Sequence, residues 1–172
     1  MLLDNPQKIG VANLMTDIMM QGTKNKTPIE LEEAIDALGA SIPMYTTKDA
    51  IIIRANTLTS TFDQTYELVE EILLEPRWDE KEFARVKKQT IEGINRNQAN
   101  PNAIASAVYS KLLYGEENIL SNTTLGTVSS VESINMEDMK NFYKNYFSPS
   151  LSYVSIVGDI TQENAVSTFA SL

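Results

Sequence analysis

The 172-residue chain contains no histidine and no cysteine. Without histidine, Ser-His-Asp and Cys-His catalysis are excluded; without cysteine there is no thiol nucleophile and no disulfide framework. The two absences together remove imidazole and thiolate, the ligands that most often hold zinc. Carboxylates, amides, hydroxyls and carbonyls remain, a set that suits calcium or magnesium. Basic residues are also few, 14 against 23 acidic ones, for a net charge of −9. That balance argues against a nucleic-acid partner, which needs clustered Lys and Arg, and against an anionic membrane surface. No apolar run of about 18 residues could cross a bilayer, and no basic segment followed by an apolar one stands at the start. Nothing in the composition fixes a compartment.

What is present is an ordinary globular composition, 42% hydrophobic, organised around residues 10–23. Val11, Leu14, Met15, Ile18 and Met19 recur at i, i+3, i+4, i+7 and i+8, the apolar face of a helix that Gly22 ends. Asn13, Thr16 and Asp17 share the other face at i, i+3 and i+4.

The rest of the chain reads as capped helices around a few strands. Residues 1–3 suggest the remnant of a strand, followed by an Asp4-Asn5-Pro6 turn. Thr27-Pro28-Ile29-Glu30 combines an N-cap, a first-turn proline and a capping-box partner, and Leu31, Ala34, Ile35 and Leu38 form the stripe behind it. Residues 41–46 and 50–58 read as a hairpin turning at Thr47-Lys48-Asp49, with Ile51, Ile52 and Ile53 covered on both faces. A capping box at Thr61 opens a helix with Phe62, Tyr66, Val69, Ile72 and Leu73 inward. Asp79 opens a long helix to about Gln98, and Asn100-Pro101 a further one to Tyr114. Residues 115–126 read as a loop. Asn135 caps a helix through Tyr146, residues 151–157 alternate as a half-buried strand, and Thr161 caps a last helix through Leu172. This order implies an α+β fold, a small, largely antiparallel sheet with helices packed on one face. Residues 50–57 and 151–157 are expected in that one sheet. No linker, repeat or low-complexity tract divides residues 1–172, so one domain is expected.

Residues 10–23 resemble the signature helix of the pitrilysin/insulinase-type metallopeptidases, the group that includes the mitochondrial processing peptidase. There the helix reads G-x-A-H-x-x-E-H-x-x-x-x-G-T, an inverted zincin motif whose histidines bind zinc and whose glutamate activates water. Gly10, Ala12, Gly22 and Thr23 match its frame; Asn13, Thr16 and Asp17 stand at the two histidine positions and the glutamate position. Leu38-Gly39-Ala40 and the run from Leu73-Leu74 through Pro76, Trp78, Phe83 and Lys87 also resemble the family. The third zinc ligand of active members would fall on Glu92 or on Gly93. The resemblance covers essentially the whole chain. It implies the first subdomain of a degenerate, non-catalytic half of such a peptidase, within a longer protein in which a full strand precedes the signature helix. In that group a separate catalytic half supplies zinc and the glutamate, and the two halves enclose a peptide substrate. The implied cofactor of this chain is therefore none, and its partners are the catalytic half and a peptide. An alternative within the same resemblance is a structural subunit without a part in proteolysis, as in respiratory-complex core proteins.

Other polar features have plainer readings. A single Asp17–Glu92 carboxylate pair is a poor cage for a hard cation wanting six or more oxygens. Glu32-Glu33, Glu70-Glu71 and Glu116-Glu117 are adjacent residues that do not face each other on a helix, and they read as solvent-facing charge rather than acid/base pairs. Arg85, Lys87 and Lys88 read as a solvated face paired to Glu82 and Glu92. Met15 and Met19 read as core.

Overall fold

Helix α1 (Val11–Met19) is the centre of the molecule: Leu14, Met15 and Met19 have no exposed surface, and Val11, Ala12 and Ile18 are buried with them. The computed structural model describes residues 1–170. Apolar residues at the helical spacing place α1 against three neighbours: β1 (Met44–Thr46), α4 (Glu80–Gln98) and α7 (Met136–Tyr146). Gly10 precedes α1 in a left-handed conformation and offers no side-chain cap. The buried Asp4 Oδ2 instead accepts from the Gly10 amide at 2.8 Å, so the turn at the start of the chain fixes where the helix begins.

The capped segments are helical. In α2 (Pro28–Ala37), Thr27 and Glu30 form a full capping box, and Leu31 is its buried anchor. Asp79 accepts from the amides of Lys81 and Glu82 to open α4, and Asn100 does the same for α5 (Pro101–Tyr114). Thr127 and Asn135 close capping boxes on α6 (Val128–Ser133) and α7. Thr161 caps α8 (Gln162–Phe169); the expected extension to Leu172 lies outside the described residues. Thr61 precedes α3 (Phe62–Leu74) but makes no cap. Its hydroxyl bonds to the Leu38 carbonyl, and residues Thr59–Thr61 form a short 3-10 turn. In α3, Thr65 and Leu68 are buried together with Val69, Ile72 and Leu73, while Phe62 and Tyr66 are half-buried.

The sheet is antiparallel and smaller than the sequence suggests. β1 pairs with β2 (Ile51–Ile53) in the register Met44 with Ile53 and Thr46 with Ile51, and an isolated bridge joins Ser41 to Asn56. The three isoleucines are half-buried, not covered on both faces. Residues 151–157 are not a strand of this sheet: after a short 3-10 turn at Pro149–Leu151 the segment runs without secondary structure, with Tyr153 91% and Val157 97% exposed. Among the described residues its alternation has no neighbouring strand to bond to, and a strand exists only as a ladder. Residues 1–3 likewise form a turn, tied to the hairpin by the Leu2 amide on the Lys48 carbonyl. The fold is α+β, a two-stranded sheet within a helical body.

Candidate functional site

The polar side of α1 divides in two. Asn13 and Asp17, one turn apart and both half-buried, bond to each other: Asn13 Nδ2 donates to Asp17 Oδ2 at 2.8 Å. Burial pushes the Asp17 carboxyl up to about 6, and the bond from Asn13 pulls back only part of that shift. Thr16 does not join them at the surface. It has no exposed area; its hydroxyl donates to the Ala12 carbonyl at 2.8 Å and shares a hydrogen bond of 2.8 Å with Thr46 Oγ1 on β1. A buried hydroxyl tied to its own helix and to the hairpin is a packing element: it has no exposed surface at which to meet a water molecule, and a hydroxyl is too weak a base to activate one.

Glu92 lies elsewhere. Its side chain, 51% exposed, faces Lys88 at 4.0 Å along α4, whereas the buried positions of that part of the helix are Thr90 and Ile94. Gly93, the other candidate for the third ligand, has no side chain to offer. No group of three or more His, Cys, Asp or Glu that could hold a metal occurs among the described residues. The donors on α1 are one amide and one carboxylate bonded to each other, and these do not fit a zinc ion, which takes three or four nitrogen, sulfur or carboxylate ligands in tetrahedral array.

Two polar residues have roles that their sequence context conceals. Glu71 is not a solvent-facing charge. It accepts from Thr23 Oγ1 (2.6 Å), Asn25 Nδ2 (3.1 Å) and Lys26 Nζ (2.5 Å), tying the loop after α1 to α3. Burial pushes its carboxyl up, but the bonds from Lys26, Thr23 and Asn25 outweigh it and hold it below the usual range. Lys87 donates to the carbonyls of Glu132 and Ile134 at the end of α6, 2.8 and 2.7 Å away. Arg85 and Lys88 do pair with Glu82 and Glu92. No pattern in the sequence distinguishes Glu71 from Glu70; only the position of the 23–26 loop does.

The frame around this helix is that of a known family. A family model described as Insulinase (Peptidase family M16) matches residues 2–127. The chain belongs to this family. A second model, described as Peptidase M16 inactive domain, matches residues 133–172. Among curated relatives, a Bacillus subtilis protein named as an uncharacterized zinc protease, YmxG, is 23% identical over 92% of this chain and 38% of its own length. A Helicobacter pylori protein named as a non-peptidase homolog of YmxG is 21% identical over 92% of this chain and 36% of its own. The chain thus spans less than two fifths of the length of these relatives. Among solved structures, a protease from Helicobacter pylori superposes with a TM-score of 0.90 at 19% identity, over 99% of this chain and 41% of that one. The first half of the periplasmic protease PqqL from Escherichia coli gives 0.84 at 18%, over 99% and 38%. Both share the fold of this insulinase-family chain.

Proposed function

We propose that this chain is the first subdomain of a non-catalytic half of an insulinase-type zinc peptidase, and that it forms part of the wall of a peptide chamber. A separate homologous half carries the zinc and the water-activating glutamate. The observation that carries this reading is the state of α1. The glycine and alanine frame of the motif stands at Gly10, Ala12 and Gly22, while its three chemical positions hold Asn13, Thr16 and Asp17. Asn13 donates a hydrogen bond to Asp17, and Thr16 is sealed inside. Family membership and the likeness to one half of a two-part protease support the same assignment. A relative named as a non-peptidase homolog supports the non-catalytic part of it.

The chamber wall would be the surface that bears Asn13 and Asp17. The test mixes this chain with a zinc-bearing homologous half from the same source and measures peptide turnover. Turnover is expected only in the mixture, and Asn13→Trp or Asp17→Trp is expected to lower it while leaving complex formation intact. A counterpart equally active alone, or a mixture indifferent to both substitutions, would leave the structural-subunit role as the better account.

A further inference from the structure

The bond between Asn13 and Asp17 has a direction. Asn13 Nδ2 donates to Asp17 Oδ2 at 2.8 Å, which leaves Asn13 Oδ1 and Asp17 Oδ1 as acceptors with no donor among the described residues. Both reach solvent: the only sealed and unpartnered side-chain oxygen or nitrogen among those residues is Asp4 Oδ1. The two side chains stand one helical turn apart on one face of α1, so the free oxygens form a double acceptor in a half-buried place. That place also lacks a countercharge. Two other partly buried carboxylates have theirs, Glu71 in Lys26 and Asp138 in Lys8. No lysine or arginine pairs with Asp17 among the described residues. Arg85 reaches the end of α1, where it donates to Gln21 Oε1 at 2.5 Å, but Glu82 (2.7 Å) and Gln89 (3.0 Å) hold it there.

A half-buried carboxylate without a cation costs free energy, and such a cost is kept where a ligand uses the group. We propose that the Asn13–Asp17 pair is a subsite for the guanidinium of an arginine in the enclosed peptide. A guanidinium is a planar fork whose parallel N–H groups meet two acceptors at once, and it is always charged. Asp17 Oδ1 supplies the opposite charge and Asn13 Oδ1 the second acceptor. A lysine ammonium would answer the charge but not the fork. Both acceptors belong to one helix whose ends Gly10 and Gly22 mark, so the pair is complete without any further strand or helix. The inference rests on the reading of this surface as the chamber wall. On that reading the peptide is the occupant, because Asn13 and Asp17 stand at the motif positions that hold zinc against it in active members.

The test uses the chain mixed with the zinc-bearing homologous half and a set of alanine-based fluorogenic peptides. One arginine, one lysine or one citrulline, the uncharged isostere of arginine, is moved through successive positions. At one position arginine is expected to exceed citrulline in kcat/KM by about tenfold or more, the worth of a hydrogen bond to a charged group, with lysine in between. Asp17→Asn is expected to bring the ratio of arginine to citrulline at that position to about one, and Asn13→Leu to remove the advantage of arginine over lysine. Equal turnover of arginine and citrulline peptides at every position would overturn the proposal; a cation of the catalytic half seated on Asp17 would give that result. So would a preference for arginine that survives Asp17→Asn, which would put the acceptor on another residue. Turnover that still falls on Asp17→Trp in either case leaves the chamber wall standing, so the two readings fail separately.

Discussion

Asp17 shows how much a single carboxyl on α1 depends on its surroundings. It is half-buried, accepts one hydrogen bond from Asn13, and titrates near 6 instead of 3.8. Because the folded value is raised, the folded state holds this proton more tightly than the unfolded one. Asp17 therefore lowers stability progressively as pH rises from about 4 to about 6, and its full cost is present at neutral pH. Asp17→Asn keeps an acceptor for Asn13 and removes the charge. It is expected to raise stability at pH 7.5 by about 1–2 kcal/mol, after discounting for partial exposure, and to give no gain near pH 4. Urea unfolding at the two pH values checks the sign, and an equal effect at both would mean that the carboxyl is not desolvated. The sequence showed Asn13, Thr16 and Asp17 on one side of the helix but not their depth. Helical spacing gives direction, whereas burial depends on what packs there, and the β1 hairpin covers Thr16 alone.

At the scale of elements, the helices were legible because their signals are local: a cap and a stripe lie within one or two turns. The strands were not. Ile51–Ile53 is shorter than its apolar run, and residues 151–157 have strand composition but no partner strand among the described residues, since pairing is a property of two segments. The contact between the segments that lead into α1 and α6 was equally invisible, because it is made between backbones. The left-handed Gly10 lies so close to Leu125 that a Cβ would stand 2.6 Å from its carbonyl oxygen. At Gly126 a Cβ would stand 2.1 Å from the carbonyl oxygen of Ile9. The same Ile9 oxygen accepts from Ser130 Oγ at 2.7 Å, so the loop has little room to retreat. Gly126→Ala is expected to cost about 3 kcal/mol or more, by positive φ and by backbone collision together. Gly39→Ala shares only the positive φ, with nothing within 4 Å of the added carbon, and should cost about 1 kcal/mol. Similar losses at the two sites would mean that the Ile9–Gly126 approach is not rigid.

For the whole molecule the decisive quantity is the set of metal donors, which the absence of histidine and cysteine restricts to oxygen and amide groups. The fold does not gather what remains: Asn13 donates to Asp17, Thr16 is sealed against Thr46, and Glu92 faces Lys88 on α4. The chain is therefore expected to retain no stoichiometric zinc after dialysis and to hydrolyse no peptide alone. Rebuilding the motif by Asn13→His, Thr16→Glu and Asp17→His is not expected to change this. The new glutamate would occupy a site with no exposed surface, displacing a hydroxyl bonded to Ala12 and Thr46. Burying a carboxylate there without a cation costs several kcal/mol by order of magnitude, so the variant should unfold at a clearly lower urea concentration. The two histidines would still lack a third ligand, and a ligand without an oriented supporting shell binds poorly. Elemental analysis and a peptide-cleavage assay on both proteins decide the matter. About one zinc per wild-type chain, or zinc-dependent cleavage by the rebuilt variant alone, would show that this half holds a metal centre of its own.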